Sequence, residues 1–425
     1  MKKQCKRTAA LLLAAVLLLG LSACQTVPDA SEPVSGTSAA EAATTTTATT
    51  TGTTEPERTT PPDIPAVEGD DPLRDRMYTP DPSEVTFSTD PVIPGEAEVQ
   101  VGTHYTGPTI AFRRSDDDPA SFGLWIWDCR VITDSLPNSD LTVDILFDMM
   151  LQNRITDVYI HLGRLADLES LVYYAENGEE VPDDVVTEMQ MRGFIKKCYR
   201  YGIRVEALVD GSGAGAGRYF GFDGSNTYTS AKIYLAYIAS FNERGADESE
   251  CFRGIQYDVE PDWSGFDGRA ANVQYMANFF TYMRRLFDAY ELEMDFCINA
   301  WTKETDMVVD EDGYRVNLLD VLTKKCHSLT IMAYRPAAKD QYSISSLELE
   351  YGKKNGCRII VGSETMPPDR LSAGERSITY YTRGAAVMSK QQTLLRDMLA
   401  DFGYDNVGGA IHHAETFYQM MCEKP

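Results

Sequence analysis

The sequence predicts an α/β fold, a single (β/α)8 barrel of the TIM type, and three observations carry that prediction. Eight short apolar runs with strand character stand at roughly even intervals between Phe122 and Glu415. Amphipathic helical patterns alternate with them. Such an alternation, repeated eight times, argues for a closed barrel over an open doubly wound sheet. The chain that holds it is about three hundred residues, the size of one such barrel.

The strands are expected over 122–129, 155–163, 203–210, 254–261, 293–301, 328–335, 357–365 and 407–415. They are short and apolar, as parallel strands buried on both faces are. Helices are expected over 139–154, 186–201, 229–244, 270–290, 318–325, 344–355 and 390–402, with a short final turn at 416–422. The first opens on a Ser139-Asp140 cap and carries Leu141, Ile145, Phe147, Met149 and Met150. Gly202 and Gly356 stand just past helices, where a left-handed residue commonly closes the last turn.

The chain in front of the barrel has a different character. Lys2, Lys3, Lys6 and Arg7 precede an apolar stretch from Ala9 to Leu21, too short for a comfortable membrane span. Residues 1–23 read as a secretory signal. They end in Leu21-Ser22-Ala23-Cys24, which resembles the lipobox of bacterial lipoproteins. The resemblance implies that Cys24 is lipidated and holds the protein on the extracytoplasmic face of the cell membrane. Residues 24–99 are rich in Thr, Pro, Ser and Ala and read as a disordered linker, because such chain buries too little surface to offset the entropy of ordering. At ~3 Å per residue it reaches on the order of 200 Å. Residues 100–121 lead into the barrel, 122–425.

The formal net charge of -25 disfavours nucleic acid and anionic membrane surfaces as partners. Any membrane contact is expected through the lipid anchor only. Seven cysteines follow Cys24, with no Cys-x-x-Cys, and read mainly as buried thiols, a Cys326–Cys357 disulfide being the pairing to check. The glycines of Gly211-Ser-Gly-Ala-Gly-Ala-Gly217 lead into Arg218-Tyr219-Phe220 rather than a Lys-Ser pair, so a loop over the barrel mouth is expected instead of a phosphate cradle. No metal is expected: Asp116–Asp118 and Asp310–Asp312 lack calcium spacing, and of His412, His413 and Glu415 at the eighth strand end only His413 and Glu415 share a face, without a well-placed third ligand. No cofactor is expected either.

The most informative segment is Gly254-Ile-Gln-Tyr-Asp-Val-Glu-Pro261 on the fourth strand. Alternate residues share a strand face, so Gln256, Asp258 and Glu260 point together. Adjacent carboxylates repel, and one tends to keep its proton near neutrality. Barrel catalysis sits at the C-terminal strand ends, and a protonated carboxyl beside an ionised one is what glycosidic cleavage needs. The segment resembles the fourth strand of the chitinase-like family of glycoside hydrolases, Asp-Gly-x-Asp-x-Asp-x-Glu. Asp258 and Glu260 match it; Arg253 and Gln256 stand at its first two Asp positions. Met332-Ala-Tyr334-Arg335 matches that family's Met-x-Tyr-Asp except at Arg335, and Gly408-Gly409 matches its Gly-Gly pair. The resemblance implies that Glu260 is the general acid, that Asp258 supports it, that Tyr334 positions substrate, and that the substrate's own N-acetyl group is the nucleophile.

A second pattern competes. Glu364 ends the seventh strand, and an acid on strand four with a nucleophile on strand seven resembles the retaining β-glycosidase superfamily, although Val259 replaces its Asn. Glu364 is thus either nucleophile or sugar ligand. Gln256 and Arg335 are expected to bind substrate, and His161, His413 and Glu415 to hydrogen-bond substrate or the carboxylates. Trp127, Trp263 and Trp301 are expected as aromatic platforms for sugar rings, whereas Trp125 suits core packing. Three function classes follow. The first is an extracytoplasmic, lipid-anchored glycoside hydrolase acting on a polysaccharide or cell-wall glycan. The second, favoured by Arg253 and Gln256, is a non-catalytic carbohydrate-binding lipoprotein. The third is a structural envelope protein. The first has the most residues behind it.

Overall fold

The computed structural model describes residues 58–67, 98–163, 165–166, 185–212, 217, 219–222, 228–261, 268–299 and 302–423. Cys24, most of the expected linker, most of the glycine-rich stretch, Trp263 and Trp301 lie outside the described residues. Eight parallel strands close a barrel in sequence order: β1 (Ser121–Ile126), β2 (Asp157–His161), β3 (Arg204–Ser212), β4 (Gly254–Pro261), β5 (Glu293–Asn299), β6 (Ser328–Met332), β7 (Arg358–Glu364) and β8 (Val407–His412). β8 returns to pair with β1. The (β/α)8 barrel is therefore the fold. Each expected strand forms, with ends displaced by three residues or fewer.

Eight α-helices are formed among the described residues: α1 (Val143–Gln152), α2 (Glu188–Arg200), α3 (Thr229–Glu243), α4 (Arg269–Ala289), α5 (Leu318–Lys325), α6 (Ala338–Asn355), α7 (Ala385–Asp401) and α8 (Ala414–Glu423). α1 starts later than its expected Ser139 cap. Thr142 accepts the amide of Ile145 at 3.3 Å and supplies the cap instead, while Ser139 accepts the amide of Leu141 in the turn before it. α2 starts behind a capping box between Thr187 and Gln190. That leaves Val186–Thr187 free to pair with Leu165–Ala166 as a small parallel sheet. Gly356, past α6, does adopt the left-handed conformation, φ 75°.

Side chains on β4 alternate as a strand requires. Ile255, Tyr257 and Val259 pack outward into the layer between strands and helices, where Tyr257 donates to the carbonyl of Ala231 on α3 at 3.1 Å. Gln256, Asp258 and Glu260 face the barrel interior. They share that interior with a cluster of Trp125, Tyr159, Leu208, Cys297, Ile360 and Ala410. At the foot of β4 a Cβ on Gly254 would lie 2.2 Å from the carbonyl oxygen of Glu293, so β4 and β5 approach as they do because residue 254 has no side chain.

Two further features shape the surface. Residues 58–67, inside the expected linker, lie against the barrel. Arg58 bridges to Tyr314, and the amide of Thr59 donates to the carbonyl of Gly313 at 2.7 Å, beside a hairpin formed by Met307–Val309 and Arg315–Asn317. All seven described cysteines are free thiols, and five of them, Cys326 and Cys357 included, are buried. The bridge considered between those two is not formed.

Candidate active site

Parallel strands all end on one rim, so their C-terminal residues converge without any long-range loop. In register, Asp210 on β3 stands beside Asp258, Asp258 beside Cys297 on β5, and Glu364 on β7 beside His412 on β8. Asp258 is half-buried, and its Oδ1 is out of solvent with no hydrogen-bond partner. Burial, then the neighbouring Glu260, push its carboxyl up to about 7, against the pull of His412. Glu260 reaches the open rim and is exposed. Crowding of its carboxyl by the surrounding protein, with Glu375 nearby, raises its pKa although His412 opposes the rise. Arg253 pairs with Glu293 at 2.8 Å, at the foot of the strand, and does not neutralise either acid.

Glu364 is deeper, 3% exposed, and both its oxygens are engaged. Oε1 accepts the amide of Met366 at 2.7 Å, and Oε2 meets Nδ1 of His412 at 2.9 Å. On the other side of the imidazole, Trp127 donates its indole N–H to Nε2 at 2.6 Å. An indole nitrogen can only donate. While that bond stands, His412 is neutral with its proton on Nδ1, aimed at Glu364. Burial disfavours charge on this ring, but Glu364, Asp258 and Glu260 outweigh it and raise its pKa. Charging His412 therefore requires the Trp127 bond to break. Tyr334 stacks on His412 with ring centroids 5.7 Å apart. Burial and the surrounding carboxylates hold the tyrosine hydroxyl well above its ordinary pKa, so it remains a donor.

The structure thus brings Asp258, Glu260, Glu364, Tyr334 and Trp127 to one rim. His161 is there too, 5.5 Å from Trp127 between ring centroids, and its Nε2 meets Oδ1 of Asp210 at 3.0 Å. That contact holds the Asp210 carboxyl below the usual range despite burial. Four expected ligands are placed differently. Gln256 is fully buried one layer down, where Trp125 donates to its Oε1 at 2.6 Å and its amide donates to Thr330 at 3.1 Å. Arg335 is exposed and folds back to donate to the carbonyl of Tyr334 at 2.7 Å. β8 ends at His412, and His413 is buried beside it with ring centroids 5.2 Å apart, where burial holds its pKa well below the ordinary value. Glu415 is on α8, 3.7 Å from Arg370.

Sequence reasoning missed Asp210 and the inward direction of His412. Ending the eighth strand three residues earlier would have found His412, since it shares a face with Ala410. Asp210 carried the same signal as Asp258, a carboxylate at a strand end. Together these groups can hold one proton near neutrality on the Asp258–Glu260 pair and deliver it to a group bound at the rim.

No protein-family model and no curated protein matches this sequence. Solved structures similar to it include a GH113 beta-1,4-mannanase, 11% identical over 70% of this chain and 89% of that one, TM-score 0.39. Another is the GH18 chitinase ChiB of Flavobacterium johnsoniae, 11% identical over 70% and 88%, TM-score 0.35. A third is a putative alpha-L-fucosidase from Bacteroides thetaiotaomicron, 13% identical over 72% and 92%, TM-score 0.40.

Proposed function

We propose that this protein is a glycoside hydrolase that cleaves a polysaccharide or cell-wall glycan, with Glu260 as general acid. The observation that carries the reading is the Asp258–Glu260 pair: two carboxyls on one strand face at the catalytic end of a barrel, both raised and without a neutralising arginine from Arg253. One proton held between them near neutrality is the reservoir that leaving-group protonation needs. Glu260, exposed at the rim, hands it over, and half-buried Asp258 holds it in reserve. Glu364 is 3% exposed, below the open rim where Glu260 stands, and its two oxygens accept from a backbone amide and from His412. Its role here is to orient His412, which carries Trp127 and Tyr334 on its edge and face as walls for a sugar ring.

The nucleophile is then the substrate's own 2-acetamido group, with Tyr334 donating to it. A specific observation favours a second route. Asp210 is an ionised carboxylate on the adjacent strand, 55% exposed in its side chain, and could activate a water as base. A panel of oligosaccharides with and without 2-acetamido groups separates the two. Retention of anomeric configuration, seen by NMR in the first product, together with a requirement for the acetamido group is the expected result. Inversion without that requirement makes Asp210 the base. If nothing in a broad panel is cleaved and one member binds tightly, the carbohydrate-binding reading replaces the enzyme.

The same proposal places the barrel outside the cytoplasm, tethered through lipidated Cys24. Cys24→Ser is expected to release the protein from membranes or block its processing. Equal membrane fractionation of variant and parent, with no labelled lipid in the parent, removes the anchor from the proposal.

A further inference from the structure

We propose that the opposite end of the barrel binds one hard divalent cation, such as calcium, magnesium or manganese, on Glu206, Asp295 and Glu293. The three come from β3 and β5, near the strands' N-terminal ends and away from the rim that holds Glu260. One carboxylate oxygen from each lies within 4.8 Å of the others. Glu206 and Asp295 are 2% and 3% exposed. Oε2 of Glu206 is out of solvent with no hydrogen-bond donor, a buried acceptor that a cation would satisfy. Oγ of Ser328 sits beside Asp295, whose Oδ1 takes the Ser328 amide at 2.6 Å, and it too lacks a well-directed hydrogen bond.

Charge points the same way. Asp157, on the neighbouring strand, pairs with Arg204, and Glu293 pairs with Arg253. Glu206 and Asp295 have no contact ion pair among the described residues, which leaves two negative charges for one dication. A cavity of 280 Å³ lined by Glu293, Asp295 and Ser328 adjoins the cluster. At ~30 Å³ each it has room for several waters, which a six- to eight-coordinate ion keeps beside its protein ligands. The donors are all oxygen, the preference of hard cations. Cys326, Cys357 and His327 line the same cavity and would instead suit zinc, but His327 Nδ1 is already taken by the amide of Met294 at 2.9 Å.

The competing arrangement is a shared proton between Glu206 and Asp295 with no metal. Chelator-stripped full-length protein is melted with calcium, magnesium, manganese or zinc ions added singly. At a hundredfold excess over Kd one of the three hard ions is expected to raise Tm by roughly 5 °C. Titration calorimetry is expected to give one ion per chain. Glu206→Gln and Glu293→Gln are each expected to abolish the rise. Glu293 is half-buried, so its variant folds even where the deeper one does not. The proposal is overturned by no rise with any hard ion, by a rise that survives in Glu293→Gln, or by binding of zinc alone that Cys326→Ser removes. None of these readouts depends on glycan cleavage, so the site stands or falls apart from the proposed activity.

Discussion

Glu260→Gln is expected to lower turnover of the cleaved glycan by ~10²–10⁴-fold while its affinity stays near that of the parent. The amide keeps the shape and the hydrogen-bonding reach of the side chain but carries no acidic proton. Glu260 is the member of the pair that reaches the rim, so its loss removes the group nearest the leaving oxygen. Asp258, with Oδ1 buried, lies deeper and does not substitute for it. The loss should therefore fall on kcat and leave KM little changed, the mark of an interaction made in the transition state. It should shrink for substrates with a strongly acidic leaving group, which need no protonation. A variant that keeps full activity on natural linkages would falsify the assignment of Glu260 as acid.

Much of the fold was legible because the barrel repeats one physical unit. Each strand is buried on both faces and is read as an apolar run, and each helix is read from its apolar stripe. The errors lie at ends, where capping decides. Thr142, not Ser139, starts α1, because its hydroxyl reaches the Ile145 amide. The same kind of error hid His412: a strand continued to residue 415 puts attention on Glu415, which belongs to α8. Gln256 was read correctly in direction and wrongly in depth. The alternation rule gives the face of a residue and not its layer, and Gln256 lies one turn of the pleat below the rim, bonded to Trp125. The part of the site that sequence could not offer is pairwise. Glu364 and His412 are partners only because β7 and β8 are neighbours in register. The Glu206–Asp295 contact in the barrel floor likewise needs strands to be brought together across the interior.

The two ends of the barrel hold the same motif, a close pair of carboxyls on inward faces, under different conditions. At the floor the pair is sealed, and arginines flank it. At the rim, Asp258 is half-buried and Glu260 is open, and the basic group beside them is an imidazole held neutral by its bond from Trp127. A guanidinium in that position would keep both acids ionised and leave no proton to give. An imidazole that donates only toward Glu364 stabilises the site without discharging it.

Asp258→Asn tests that arrangement with opposite effects on activity and stability. Asp258 keeps its proton to about 7 in the fold, whereas an unfolded chain releases it near 3.8. Between those values the folded state binds more protons than the unfolded one, so rising pH costs stability through this window, and the loss is complete above about 7. Asparagine cannot ionise and escapes that loss. The variant is expected to match the parent in urea unfolding below pH 4 and to exceed it at pH 8 by an amount on the order of 2–4 kcal/mol. Activity moves the other way. In the parent, kcat/KM should fall as pH rises through about 7, where the pair gives up its proton. Without Asp258 the proton held to about 7 is gone and Glu260 has only its own to give, so the alkaline limb should shift toward acid and turnover at neutral pH should drop. A variant with the parent's pH–rate profile, or with the parent's fall in stability between pH 4 and pH 7, separates Asp258 from the proton that Glu260 delivers.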